Sequence, residues 1–371
     1  MPIPTNTTET AQLVEVQVAD YARGRVDNTV RRRLVLRMLD QRGRITYNNR
    51  SHQFVWTEQF DQPDISTTGA GGQFTFNESD LYRQCGLEVR GYSGEDVLYY
   101  KNHAMNGPAG AMIEYYGDKI PRLMEAMEDE IGKDIYLDGN DANRPDSLHG
   151  FDSGLGYTAP NPGDMVAQPN DNYAGHATNL GTITGTWDNR LSAANQPNQS
   201  LGSDWPNGRG DAAYDWHAPL ILNGTSTRWG SPHFYDTAGI IFRRATTWAR
   251  KNGGRDARPT CFMCGGDKWW DYTTYQEQYF RNVIPHEEAV DLGFPETLKQ
   301  EGVMIAEEFD TPADSVYILN VNKMELKSID NVLWRTVGPH YDMKSDAFLF
   351  RVGFFGNLIM VIKYQGKIIF P

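Results

Sequence analysis

Cysteine is scarce in this chain, which has three in 371 residues. A disulfide scaffold carries many more, so the count excludes one and favours a protein made in a reducing cytoplasm. Cys261 and Cys264 form a C-x-x-C pair within RPTCFMCGGDKWW. A redox pair begins at a helix N-terminus, whereas Cys261 lies in a predicted strand. A structural zinc site needs four ligands, and no second cysteine pair exists. Residues three apart on a strand face opposite sides, so we predict that the two thiols pack apart in the core.

Long hydrophobic runs are also missing. The longest uninterrupted aliphatic run, Leu358 to Ile362, is far too short to span a bilayer, so no membrane partner is expected. The opening residues, MPIPTNTTETAQ, carry neither an apolar run nor a basic leader, which predicts no secretory signal. The signatures G-x-x-x-x-G-K-[ST], G-x-G-x-x-G and G-x-S-x-G do not occur in the sequence. The sequence therefore predicts no enzyme, no cofactor and no metal site.

Positive charge is concentrated in one stretch of an acidic chain whose formal net charge is −13. Between residues 21 and 50, nine arginines stand against two aspartates, a balance of +7 that leaves −20 for the remainder. A basic arm on an acidic body predicts contact with nucleic acid or with acidic neighbours. The candidate contact residues are Arg31, Arg32 and Arg33.

Aromatic residues are abundant, with 9 Trp, 19 Tyr and 16 Phe, which favours large cores and extensive subunit contacts. HQFVWTEQF alternates as a strand does, and CGLEVRGYSGEDVLYYKN follows as strand after a Gly/Ser/Thr-rich stretch. A long two-stranded excursion is marginally stable alone in water, so it must lie on another surface.

One long helix is predicted from Asn106 to Asn140, with Pro121 as a kink and Gly139 as a stop. Its apolar stripe recurs at steps of three or four residues and includes Tyr116, Ile120, Leu123, Met127 and Ile131. Residues 140–230, by contrast, are rich in Gly, Asn, Asp and Pro and predict a loop-rich region.

Regular patterns return after this region. SPHFYDTAGIIFRRATTWARKNGG predicts a helix capped by Ser231, with Pro232 in the first turn. Its buried face is predicted to contain Phe234, Ala238, Ile241, Phe242, Ala245, Trp248 and Ala249. The strand PTCFMC, the helix DKWWDYTTYQEQYFRN and the strands GVMIAEEF and SVYILNV come next. The C-terminal stretch predicts three short strands joined by FGN and YQG turns.

The order of these elements, together with particular stretches, resembles the HK97-fold major capsid proteins of tailed bacteriophages over nearly the whole chain. The similar stretches include RITYNNRSHQFVWTEQF, KIPRLMEAMEDEIGKDIYLDGN, SLHGFDSGLG, YAGHATNLGTITGTW, PTCFMCGGDKWWDYTTYQ and GNLIMVIKYQGKIIFP. The resemblance implies an α+β, HK97-like capsid fold. Its implied parts are an N-arm at 1–44, an extended E-loop at 45–104, a P-domain spine helix at 105–139, an A-domain at 140–336 with a loop-rich insertion at about 140–230, and a P-domain C-terminal sheet at 337–371.

The function implied by this resemblance is structural: a major capsid protein that self-assembles into an icosahedral shell of pentamers and hexamers around double-stranded DNA. No long charged helical segment precedes the arm, so a separate scaffolding protein is expected, along with a portal and possible decoration proteins. The expected location is the virion, after assembly in the host cytoplasm. Within the E-loop, the aromatic residues expected to contact a neighbouring subunit, or else to cluster within the loop itself, are Trp56, Phe60, Phe74 and Phe76. For the arginines an acidic neighbour is preferred over the genome, since packaged DNA slides more easily along a neutral or acidic lining.

Two other functions fit parts of the sequence. The aromatic and Gly/Asn-rich middle is compatible with a carbohydrate- or ligand-binding enzyme, whose pocket would use Trp187, Trp205 or Trp216. The arginine-rich arm alone is compatible with a nucleic-acid-binding module, whose affinity would fall steeply with salt.

Overall fold

The structure, a computed structural model, describes residues 33–49, 51–59, 81–101, 109–163, 165–178, 217–253, 255–279 and 298–371. Within these residues the helices are α1 (Leu34–Gln41), α2 (Ala109–Asp134), α3 (Phe234–Gly253) and α4 (Gly266–Tyr279). The strands are β1 (Ile45–Thr46), β2 (Gln53–Gln59), β3 (Tyr82–Glu88), β4 (Arg90–Tyr99), β5 (Asn172–Tyr173), β6 (His176–Ala177), β7 (Leu220–Asn223), β8 (Cys261–Cys264), β9 (Leu298–Gln300), β10 (Val303–Glu307), β11 (Ser315–Leu319), β12 (Met324–Ser328), β13 (Arg335–Asp342), β14 (Ala347–Met360) and β15 (Gly366–Ile369). This mixture confirms the α+β class. No helix of the described residues is long and apolar enough to cross a membrane.

A five-stranded sheet is built around β14, its longest strand. Residues 347–356 of β14 pair with β4, residues 347–353 pair with β13, and residues 356–360 pair with β12, all antiparallel. The short strand β1 continues the sheet by pairing in parallel with β12.

A six-stranded sheet has the order β7-β15-β11-β8-β10-β9. The β8–β10 and β15–β7 pairs are parallel and the other pairs are antiparallel. All four residues of β8 and all five of β11 are buried, as expected for strands covered on both faces.

Two core clusters cover the two faces of this six-stranded sheet. The first joins it to α1, α2, the β2–β3 hairpin and the five-stranded sheet, and the second joins it to α3 and α4. Cys261 belongs to the first cluster and Cys264 to the second, and both are fully buried. The prediction that the C-x-x-C thiols pack on opposite faces of a strand is therefore confirmed.

Helix α3 follows the predicted pattern closely. Six residues of the predicted face are buried in the second core cluster and Ala249 packs against it: the six are Phe234, Ala238, Ile241, Phe242, Ala245 and Trp248. The helix begins at Phe234, two residues after the predicted start. Ser231 acts one turn earlier, where its Oγ accepts a hydrogen bond from the backbone N–H of His233 at 3.2 Å.

The C-terminal stretch departs from its prediction. Residues 355–357, the predicted FGN turn, lie inside the continuous strand β14. A Cβ on Gly356 would come within 2.1 Å of the Lys327 carbonyl oxygen on β12, so this glycine permits close strand approach and does not mark a turn. Strand β15 lies in the six-stranded sheet, and the predicted boundary between 336 and 337 falls within β13. The segment 337–371 is thus divided between the two sheets.

The turn after α2 is held by a compact polar network. Arg144 forms an ion pair with Asp134 at 2.6 Å (Nη1 to Oδ1), and the Tyr92 hydroxyl donates to the other oxygen of that carboxylate at 2.7 Å. Burial raises the pKa of Asp134 above its ordinary value, while these two partners oppose the rise. The network fixes the end of the long helix against β4 of the five-stranded sheet.

Gly150 closes this turn where no side chain fits. A Cβ there would lie 2.3–2.5 Å from the backbone carbonyl oxygens of Asp134, Ile135 and Leu137. We predict that Gly150→Ala lowers the free energy of unfolding by about 2–3 kcal/mol, since forced overpacking costs about that much. Urea unfolding of the unassembled chain measures it. Gly163→Ala is the control, because no described atom lies within 4 Å of its Cβ position, and equal losses in both variants would contradict the prediction.

Candidate assembly surfaces

The N-terminal segment is anchored by Arg33, which directly precedes α1. Its side chain is 1% exposed and its guanidinium pairs with Asp129 on α2 at 3.2 Å and with Asp310 in the loop after β10. The prediction that Arg33 faces a neighbour or DNA is therefore wrong. The five apolar residues of α1 that enter the first core cluster draw the guanidinium inside, where acidic groups of its own chain neutralise it.

Glu308 completes this anchor. It follows β10, is fully buried, and accepts hydrogen bonds from the backbone N–H groups of Leu34 and Val35. The Tyr136 hydroxyl also donates to it, at 3.0 Å. Because Arg33 provides no side-chain cap for α1, this distant carboxylate satisfies N–H groups of the first turn. Burial raises the pKa of Glu308 to about 7.

The inner face of the β2–β3 hairpin packs on its own chain. Phe54, Cys85 and Leu87 are buried in the first core cluster and Trp56 packs partly buried against it. The Trp56 ring lies 6.5 Å from that of Tyr173, and its indole N–H donates to Glu58 Oε1 at 2.8 Å. The Trp56 indole therefore makes contacts within its own chain. Its predicted contact with a neighbouring copy stays a prediction.

The outer face of the same hairpin carries exposed apolar residues that the sequence analysis did not single out. Val55 is 45% exposed and Tyr82 is 58% exposed. Strand alternation places Val55 opposite to the face of Phe54 and Trp56, so the period-two pattern already contained this signal.

A second exposed surface runs along β13, which is an edge of the five-stranded sheet. Seven of its eight residues are exposed. The apolar side chains here include Val337, Tyr341 and, on the paired strand β14, Leu349, all at least 36% exposed. By register Val337 and Leu349 share one face of the sheet and Tyr341 lies on the other, so both faces of this edge present exposed apolar side chains that are available to another chain.

The predicted stripe of the long helix lies toward the core. Met127 and Ile131 are buried in the first core cluster, and Ile120 and Leu123 are partly buried against it. The backbone of Tyr116 belongs to α2, but its side chain is outside the described residues, and Pro121 lies within the helix.

Several predicted contact residues fall outside the part of the chain that the structure describes. These are Arg31 and Arg32 of the arm, Phe60, Phe74 and Phe76 of the excursion, and the pocket candidates Trp187, Trp205 and Trp216.

Comparison with known proteins gives structural matches without sequence matches. No protein-family model matches the chain, and no curated protein matches it by sequence. A subunit of the cyanophage A-1(L) capsid is similar over 94% of this chain and 95% of its own, with a TM-score of 0.56 and 14% identity. A subunit of the SrpI encapsulin complex from Synechococcus elongatus is similar over 95% of this chain and 94% of its own, with a TM-score of 0.50 and 7% identity.

The chain has an HK97-like capsid fold. At 14% identity or less, the surface side chains of these proteins cannot be carried over to this one. The contacts of this HK97-like fold must therefore be sought among its own exposed residues, on the outer face of the hairpin and along β13.

The buried Arg33 pair generates a stability prediction. Arg33→Met should lower the free energy of unfolding by about 3–5 kcal/mol, since it leaves Asp129 and Asp310 without their cation in a buried setting. Urea unfolding measures the change. Arg37→Met is the matched control on the same helix, because Arg37 is exposed, and we expect it to cost less than about 1 kcal/mol. An equally small loss of unfolding free energy in Arg33→Met would contradict the prediction that the ion pairs of Arg33 stabilise the fold.

Glu308 generates a pH prediction. Its pKa rises from 4.5 to about 7 on folding, so the native state binds this proton more tightly than the unfolded state does. The associated stability is fully present below pH 4.5 and is lost as pH rises toward 7, by up to about 1.4 kcal/mol per pH unit. Unfolding of wild type and Glu308→Gln across this range should show a steeper loss of stability with rising pH in wild type than in the variant. Glu307→Gln serves as control and should retain the wild-type slope; a Glu308→Gln profile parallel to wild type would refute the assignment.

Proposed function

We propose that this chain is the major capsid protein of a tailed bacteriophage, a structural protein that self-assembles into an icosahedral shell around double-stranded DNA. The observation that carries the proposal is an HK97-like fold, shared over nearly its whole length with a cyanophage capsid subunit. The proposed role is structural, without catalysis, and the same observation supports it.

The uncovered surfaces support assembly through many repeated contacts. In this proposal the outer face of the hairpin, with Val55 and Tyr82, lies across a neighbouring subunit. Strand β13 meets another subunit through its exposed side chains. Each such contact is heterologous, and repetition around five-fold and six-fold positions closes the shell as pentamers and hexamers. A contact of this kind becomes specific when it buries roughly 1,000 Å² or more.

The division of the chain into an N-arm, an E-loop, a P-domain and an A-domain is part of this proposal. Packing of α2 against the five-stranded sheet supports a P-domain, and packing of α3 and α4 on the six-stranded sheet supports an A-domain, while the first core cluster joins the two. Because Arg33 is buried, the proposed contacts of the N-arm are limited to residues before it. Arg31 and Arg32 remain its candidate contacts with an acidic neighbour or with DNA.

Partners and location follow from the proposed role. A separate scaffolding protein, a portal and possible decoration proteins would join the homo-oligomeric shell, and packaged DNA would be contacted without sequence preference. The protein would be located in the virion capsid after assembly in the host cytoplasm. A net charge of −13 fits a lining along which DNA slides during packaging.

A shell with other contents is the second candidate, because the fold is also shared with an encapsulin complex. The two candidates differ in whether assembled particles take up DNA. A ligand-binding enzyme has no support from the fold.

Electron microscopy of the purified full-length chain, with its cognate scaffold where one is identified, tests assembly. We expect closed shells or ring-shaped five- and six-fold clusters in wild type. The double variant Val55→Ser, Tyr82→Ser should lose them, since both side chains lie on the outer face of the hairpin. Its free energy of unfolding should stay within about 0.5 kcal/mol of wild type, as for other surface changes.

Tyr235→Ser on α3 is the control, since Tyr235 is an exposed tyrosine outside both proposed surfaces. It should assemble as wild type does. A monodisperse monomer or dimer of wild type at high concentration with scaffold would overturn the shell proposal. Nuclease-protected DNA in particles from infected cells would favour the capsid over the second candidate.

A further inference from the structure

Three metal-ligating side chains from distant parts of the sequence meet on the inner face of the hairpin. Glu58 on β2, Cys85 on β3 and His217 just before β7 are 8%, 0% and 0% exposed. One ligand atom from each lies within 4.8 Å of the other two. Among the residues that the structure describes, no other group of three such side chains meets this criterion.

Backbone geometry holds two of these side chains on the same face. Trp56 and Cys85 are direct partners across the β2–β3 pair, so Glu58 lies diagonally opposite Cys85 on the inner face of the hairpin. The backbone N–H of Gly86 donates to the Ala174 carbonyl at 3.2 Å. The His176 ring also bonds to the Gln84 carbonyl at 2.9 Å, so the hairpin is fixed beside the β5–β6 pair.

His217 is oriented by a backbone carbonyl, as metal-binding histidines commonly are. Its Nε2 lies 3.1 Å from the Tyr173 carbonyl oxygen, and a carbonyl accepts only from an N–H, so Nε2 carries the proton. In the neutral ring Nδ1 then presents its lone pair, 3.7 Å from Glu58 Oε2. With the neutral ring, the Nδ1 lone pair and the Glu58 carboxylate are both directed so that they can bind a cation placed between them.

We propose that Glu58, Cys85 and His217 bind one divalent transition-metal ion of the zinc type. Carboxylate, thiolate and imidazole together are the donor set that zinc takes in proteins. Bonds of 2.0–2.3 Å in a tetrahedral site place ligand atoms about 3.3–3.8 Å apart. The present separations of up to 4.8 Å therefore close by about 1 Å through side-chain rotation. Water takes the fourth position.

Charge balance favours the ion. A divalent cation with one carboxylate, one thiolate and a neutral imidazole has no net charge, which suits a buried site. Without the ion, the Cys85 thiol carries its proton, as an ordinary cysteine side chain does at neutral pH. Binding forms the metal–sulfur bond and releases that proton to solvent, one per ion bound.

The ion would bind Glu58 and Cys85 of the hairpin and His217 of the segment before β7. It would therefore cross-link these two parts of the chain. This inference does not rest on the proposed shell function, because it concerns the folded subunit.

Metal binding to the full-length chain provides the test. The chain is stripped with chelator, titrated with Zn²⁺ and analysed for bound zinc; we expect one equivalent per chain with release of about one proton. Co²⁺ in place of Zn²⁺ should give a thiolate-to-metal charge-transfer band together with the visible bands of a tetrahedral ion. Both readouts use wild type and need no variant.

Matched variants locate the site. Cys85→Ala and His217→Gln should each weaken Zn²⁺ binding at least about 100-fold, and Cys85→Ala should abolish the charge-transfer band. Cys261→Ala is the control, since Cys261 is an equally buried thiol outside the cluster, and it should bind as wild type does. Wild type that binds no stoichiometric Zn²⁺ and shows no cobalt–thiolate band would overturn the proposal, as would unchanged binding by Cys85→Ala.

Discussion

Burial of the six-stranded sheet on both faces is the constraint on which the rest of the subunit depends. Its inner strands, β8 and β11, have no solvent-facing side, so each face must be covered by other elements. Helices α3 and α4 cover one face, and α1, α2 and the five-stranded sheet cover the other. The elements on this second face include β4, and the hairpin packs with them. The extended strands of the molecule are therefore built on the same core as the six-stranded sheet.

Ion pairs and hydrogen bonds fix the helices and strands that extend away from this core at the points where they leave it. Arg33 and Glu308 fix the first turn of α1, while Asp134, Arg144 and Tyr92 fix the end of α2. Each anchor joins residues from separate segments and lies where apolar packing ends. The hairpin has its own anchor in the hydrogen bond from the Gly86 N–H to the Ala174 carbonyl. The orientation of the outward surfaces is thus set by contacts within the chain itself.

Sequence periodicity predicts which side of a helix or strand is buried. It does not predict contacts between residues that lie far apart in the sequence. The face of α3 and the opposed thiols of Cys261 and Cys264 follow from spacing alone, because spacing reports which side of an element is buried. The charge pattern predicts an exposed Arg33, because it does not reveal that Asp129 and Asp310 lie beside this residue in the fold. The approach of Glu58, Cys85 and His217 is equally invisible, since no local motif joins them. The sequence predicts a turn at Gly356 because close strand approach and a turn both favour glycine.

The irregularity of β13 has a consequence for how copies of the chain avoid aggregation. An exposed edge strand offers unpaired backbone groups to any other edge, and identical edges can pair indiscriminately into continuous sheets. Here Pro339 lacks an N–H, and the pairing register shifts between Val337 and His340. The interrupted edge resists sheet extension while its side chains stay available. Copies of this chain at high concentration are therefore less prone to join edge to edge through β13, although its side chains are exposed.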